Sequence, residues 1–119
     1  MNCPFCEFEV VIDSDLIYAR YDKYPVSLGH CLIVPKRHVE TWFDMNKEEQ
    51  TEAFDLIDKV KVMLDEKHSP EGYNIGMNCG ETAGQTIPHA HIHVIPRYKG
   101  DMPNPRGGVR GVIPEKQSY

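Results

Sequence analysis

The chain has 119 residues, 40% of them hydrophobic and 26% charged, with a net charge of −5. That size and balance predict one small globular domain spanning 1–119. An apolar run long enough to cross a membrane, about 18 residues, is absent, and the acidic balance argues against a protein that wraps nucleic acid.

The N-terminus, MNCPFCEFEV, holds no basic segment followed by an apolar core, which predicts a chain without a secretory leader and a cytosolic location. Cys3 and Cys6 form a C-x-x-C pair. In a cytosolic chain such a pair points to a metal or redox site. A redox pair follows a strand and opens a helix, which lowers the first thiol's pKa. Only two residues precede Cys3, and the stretch from Phe8 to Ile12 has strand character. Zinc is favoured, and a closed tetrahedral site then needs two more ligands.

FEVVIDSDLIYARYD holds two apolar runs around Asp13-Ser14-Asp15, predicting two strands and a tight turn. Lys23 to Pro25 is a loop. The run from His30 to Pro35 is apolar, β-branched and closed by proline, hence a strand. KRHVETWFDM predicts irregular chain with one helical turn. Residues 47–67 form the main helix: Asn46 is a good N-cap and Glu49 completes a capping box. Its apolar stripe is Ala53, Leu56, Ile57, Val60 and Leu64, and Pro70 lies beyond its end. GYNIGMNCG is a strand running into a glycine turn, ETAGQTIP a loop, and HAHIHVIP, residues 89–96, a strictly alternating strand. The tail, 98–119, is rich in Gly and Pro and predicts no regular element. It is also basic: residues 97–119 carry five cations against two carboxylates, a local +3. Strands flanking one helix without regular alternation predict an α+β fold with an antiparallel sheet of about five strands.

On a strand, His89, His91 and His93 share one face and Ala90, Ile92 and Val94 the other. The apolar set should pack under the main helix. Each imidazole needs polar partners, so three aligned ones point to function rather than core. Alternate imidazoles can chelate zinc; a neutral imidazole can also attack phosphorus. Gly80, Gly84, Gln85 and Thr86 precede the strand, and no carboxylate lies between Gly84 and Pro96 to complete a catalytic zinc set. Glycines allow close backbone approach, and Gln and Thr offer neutral donors. Phosphate chemistry is favoured. Cys31 and Cys79 are expected as small buried thiols, and His68 as a cation suited to the helix C-terminus.

From His89 to Ile95, H-A-H-I-H-V-I resembles the histidine-triad (HIT) signature at every position. The AGQT segment and the GHCLIVPKRH stretch from Gly29 to His38 are similar to that family's other shared segments, so the likeness spans about Cys3 to Lys99. The resemblance implies a HIT-like fold and a nucleotide hydrolase or transferase acting at an α-phosphate. It implies that His91 is the nucleophile, forming a nucleotidyl-phosphohistidine, that His93 contacts the phosphate, and that His30 orients the triad. It also implies nucleotide contacts by Gln85, Thr86 and Asn78, and by Asp22 to the ribose. Bacterial members bearing an N-terminal C-x-x-C imply a structural zinc held by Cys3, Cys6, His38 and His89, with residues 1–7 as its N-terminal half. A homodimer is implied too. The attacking nitrogen must be unprotonated, which predicts a bell-shaped or rising pH dependence near neutrality. The implied substrate is a dinucleoside polyphosphate such as diadenosine tetraphosphate. A nucleoside phosphoramidate hydrolase, a nucleotidyl transferase and a nucleotide-binding regulatory module are the alternatives. The segment between Cys6 and His30 is shorter than in many zinc-bearing members, which leaves the base open. Arg106 and Arg110 of the tail are candidates to meet outer phosphates.

Overall fold

The computed structural model describes residues 3–6 and 9–119. Met1, Asn2, Glu7 and Phe8 therefore lie outside the described residues, including the start of the first expected strand. Five strands make one antiparallel sheet: β1 (Ile12–Asp13), β2 (Ile17–Tyr21), β3 (Cys31–Pro35), β4 (Gly72–Gly76) and β5 (Ile92–Arg97). Their spatial order is β1-β2-β3-β5-β4. The helix α1 (Lys47–His68) covers one face. The expected fold class and strand number are both found.

Local chemistry explains the helix. The Asn46 side chain accepts from the Glu49 N–H and Glu49 accepts from the Asn46 N–H, each at 2.9 Å. Two orphan donors of the first turn are thus satisfied. Glu49 is buried, and its carboxylate also takes two bonds from Arg37, at 2.7 and 3.1 Å. Ser69 ends the helix in the left-handed region, at φ 50°. Ala53, Leu56, Val60 and Leu64 bury their side chains against Ile17, Ala19, Cys31, Ile33, Ala90, Ile92 and Val94. Each buried leucine contributes roughly 2 kcal/mol.

The opposite sheet face carries a smaller cluster of Phe5, Tyr18, Leu32 and Val34. The ladder pairs Leu32 with His93 and Cys31 with Val94. The period-two pleat therefore puts the odd-numbered histidines of the β5 segment opposite the helix. Two differences from the sequence expectation matter. The β5 ladder starts at Ile92, so His89, Ala90 and His91 are extended chain that precedes it, held by the Ala90 N–H donating to the Val39 carbonyl at 2.7 Å. The tail carries two 3₁₀ turns, 108–112 and 114–116. Gly107 makes them possible: it sits at φ +87°, and a Cβ there would meet the Gln117 carbonyl oxygen at 1.8 Å.

Candidate functional site

Gly29, at φ +91°, turns the chain into β3; a Cβ there would strike Leu64 and His68 at 2.9 and 3.0 Å. The turn delivers His30, 2% exposed, to the face away from the helix. The Val26 N–H donates to His30 Nδ1 at 3.0 Å. An N–H can only donate, so Nδ1 holds a lone pair and the proton sits on Nε2. His30 Nε2 lies 2.9 Å from His93 Nδ1. It donates there, which leaves His93 with its own proton on Nε2. One backbone amide thus sets two tautomers in series. Asp22 completes the group, with Oδ2 at 3.5 Å from His30 Nε2 and 3.9 Å from His93 Nδ1. Its Oδ1 accepts the Tyr24 N–H at 2.9 Å.

His91 follows the same logic with the opposite result. Its Nδ1 lies 2.8 Å from the His89 carbonyl oxygen. A carbonyl only accepts, so Nδ1 carries the proton and Nε2 keeps its lone pair. The rings of His91 and His93 stand 5.2 Å apart, one with a free acceptor nitrogen and the other with a donor. Burial pushes the pKa of His91, His30 and His93 below the ordinary histidine value. His93 falls to about 4, through burial first and then its neighbours His91 and His30, with Asp22 opposing. Neutral imidazoles at neutral pH are what nucleophilic attack requires.

The His91 and His93 rings line a cavity of about 250 Å³ with Phe5, Asp22, Tyr24, Leu32, Asn78 and the loop Gly84 to Ile87. The expected site residues Asp22, Asn78, Gln85, Thr86, His91 and His93 thus come together at one opening, with His30 behind. Gln85 differs from expectation in what its side chain does. Its amide donates to the Glu40 and Ile87 carbonyls at 2.6 and 3.0 Å, and its oxygen accepts the Gly80 N–H at 2.8 Å. It shapes the loop rather than presenting free donors. Arg106 and Arg110 differ too: both guanidiniums lie over the Tyr119 ring, at 4.9 and 5.0 Å. The tail instead brings Gly108, Val109, Gly111 and Val112 to a neighbouring groove of about 470 Å³ that shares Asn78 and His93 with the first cavity. Cys31 is fully buried, its thiol pushed up to about 12 by burial, while Cys79 is half-buried.

His89 belongs to a second constellation. Its Nε2 lies 2.7 Å from the Pro35 carbonyl, which puts the proton there and frees Nδ1. That nitrogen lies 3.3 Å from Cys3 Sγ, 3.5 Å from Cys6 Sγ and 3.2 Å from His38 Nδ1; Cys6 Sγ and His38 Nδ1 are 3.2 Å apart. Tetrahedral zinc with bonds of about 2.0–2.3 Å separates its ligands by about 3.3–3.8 Å. Two soft thiols and two imidazoles at these distances fit that ion. The Pro35 bond is the kind of outer contact that orients a ligating histidine. Phe5 was not singled out from the sequence; its place between the two cysteines was the available signal.

The comparisons agree with this fold and with the triad motif. The chain is 37% identical over 106 residues to an uncharacterized HIT-like protein of Methanocaldococcus jannaschii, covering 83% of this chain and 81% of that one. It is 40% identical over 78 residues to the asymmetrical bis(5'-nucleosyl)-tetraphosphatase of Schizosaccharomyces pombe, covering 66% of this chain and 43% of that enzyme. A crystal structure of a zinc-bound histidine triad family protein from Mycobacterium smegmatis superposes with a TM-score of 0.72 at 28% identity, covering 79% of this chain and 68% of that one. The HIT domain model matches residues 6–100. On the triad, the fold and these likenesses, the chain belongs to the HIT domain family.

Proposed function

We propose that this HIT-family nucleotide hydrolase cleaves dinucleoside polyphosphates at the α-phosphate through a covalent nucleotidyl intermediate on His91. The observation that carries the proposal is the 2.8 Å contact from His91 Nδ1 to the His89 carbonyl, which leaves the Nε2 lone pair on the cavity wall. Nε2 attacks the α-phosphorus and the bond to the outgoing nucleotide breaks. Nδ1–H stays on the His89 carbonyl, sharing the positive charge that the ring acquires. His93, with its proton on Nε2, donates to an α-phosphate oxygen, and His30 holds that tautomer. Water then attacks the intermediate and releases a nucleoside monophosphate. Asn78, Thr86 and the backbone of the loop shaped by Gln85 contact phosphate, and Asp22 reaches the ribose as well as facing His30. The Schizosaccharomyces pombe relative, named a bis(5'-nucleosyl)-tetraphosphatase, supports this substrate class.

A structural zinc on Cys3, Cys6, His38 and His89 goes with this reading, supported by the ligand spacing and by the zinc-bound Mycobacterium smegmatis neighbour. Two copies pair through the open edge of β4, where Ile75 is 44% exposed; light scattering that finds only monomers would refute this. Among the described residues no helix is long and apolar enough to cross a membrane.

The test is turnover of diadenosine tetraphosphate, a nucleoside phosphoramidate and guanosine counterparts by the wild type and His91→Ala. Diadenosine tetraphosphate should be the best substrate, and His91→Ala should abolish both turnover and the mass of the nucleotidyl adduct. Full turnover by His91→Ala would overturn the mechanism; preference for the phosphoramidate would overturn the substrate.

A further inference from the structure

Phe5 stands between the two cysteines of the N-terminal knuckle and is 6% exposed. Its ring packs on the His91 ring, with centroids 4.7 Å apart and planes tilted by 59°. The peptide groups that carry it are gripped from β2. Tyr18 Oη donates to the Phe5 carbonyl at 2.6 Å and Arg20 donates to the Pro4 carbonyl at 3.1 Å. Arg20, itself 2% exposed, also lies over the Phe5 ring at 5.5 Å. From the other side, His89 offers its side chain to the metal cluster and its carbonyl to His91 Nδ1.

Two residues tied to the metal cluster therefore touch His91: His89 at an edge nitrogen and Phe5 at the ring. One hydrogen bond fixes a nitrogen but lets an imidazole swing about the N–H···O line. A second ring packed against it limits that swing. Displacement of a reacting group by about 1 Å can cost a hundredfold in rate.

We propose that Phe5 is a positioning residue for the reaction, and that it couples the Cys3/Cys6/His38/His89 metal cluster to the aim of His91. The metal's role is then not confined to holding the fold: it holds the turn that presses Phe5 onto the attacking imidazole. This inference rests on His91 as nucleophile and on a metal in the cluster. Two controls keep those failures separate. A His91→Ala enzyme that turns over removes the nucleophile, whatever Phe5 does; purified protein without metal removes the cluster's part.

The experiment compares full-length wild type, Phe5→Leu and Phe5→Ala, each checked for bound zinc and thermal midpoint. Diadenosine tetraphosphate is the substrate, and kcat is separated from KM. NMR relaxation of the His91 ring reads how freely that ring moves, without any turnover. The expected result is that Phe5→Ala keeps its zinc and stays folded. Its kcat falls by roughly ten- to a hundredfold, KM changes little, and the His91 ring gains motion while its proton stays on Nδ1. Phe5→Leu, which refills part of the space, should recover part of the rate. Wild-type protein stripped of zinc by a chelator, at a temperature where circular dichroism shows it folded, should show the same gain in His91 ring motion. An unchanged kcat in zinc-loaded Phe5→Ala overturns the proposal. So does a rise in KM alone, which would make Phe5 a wall of the binding cavity, and so does a His91 signal indifferent to both Phe5 and zinc.

Discussion

Replacing His30 with alanine breaks the series of bonds that runs from the Val26 N–H through His30 to His93. Two hydrogen bonds are lost, at 3.0 and 2.9 Å, from a residue that is 2% exposed. At about 1 kcal/mol per bond, with a further contribution from the vacated space, the fold should lose roughly 2–3 kcal/mol. In a domain of this size that lowers Tm by about 10 °C. The larger effect is on chemistry. Without His30 nothing obliges His93 to keep its proton on Nε2, and the ring can turn. A single preorganised donor to a developing oxyanion is worth about 10²–10³ in rate. The His93 ring remains, so His30→Ala should reduce kcat by about ten- to a hundredfold. His30→Gln supplies an amide N–H toward His93 and an oxygen toward the Val26 N–H, and should recover most of that loss. The assay is single-turnover formation of the nucleotidyl-enzyme, with nitrogen-15 NMR of His93 in parallel. Wild-type His93 found with its proton on Nδ1 would refute the reasoning. So would folded His30→Ala working within about twofold of wild type.

Four other predictions follow from the same structure. Because burial lowers the pKa of His91, His30 and His93, the acid limb of the rate profile should lie below the ordinary value of 6.5, leaving a flat profile at neutral pH. This moves the rise expected near neutrality to the acid side, and a limb at or above 6.5 would contradict it. The same shift affects stability: His93 is favoured neutral in the fold, so stability is full above 6.5 and is lost as pH falls toward about 4, by about 3 kcal/mol in all; denaturant titrations across that window measure it. Cys3→Ser should abolish the proposed stoichiometric zinc, read by elemental analysis, and lower Tm, since three ligands no longer close the site; retention of stoichiometric zinc would count against the cluster. Gly107→Ala places a Cβ 1.8 Å from the Gln117 carbonyl oxygen at a positive φ, so residues 105–119 should become quickly cleaved in limited proteolysis while the Tm of the sheet and α1 holds.

What the sequence by itself determined is the local part of this protein. Spacing of two put His91 and His93 on the face away from α1, because pleat alternation is a property of any strand. The Asn46–Glu49 box and the stripe from Ala53 to Leu64 started and oriented the helix, because caps and amphipathicity act within a few residues. The triad and the P-K-R-H segment were legible as motifs for the same reason. The tertiary structure decided everything that depends on residues distant in the chain. The Val26 amide sets the tautomers of His30 and His93, yet a backbone N–H leaves no mark in composition. Gln85 turns inward because the Glu40 carbonyl, 45 residues away, happens to meet its amide. Arg106 and Arg110 lie over Tyr119, since Gly107 lets the tail close on itself. Phe5 reaches His91 only because Tyr18 and Arg20 of β2 hold the knuckle against the sheet. Proton placement and ring orientation arise from contacts across the fold, and periodicity along the chain carries no record of them.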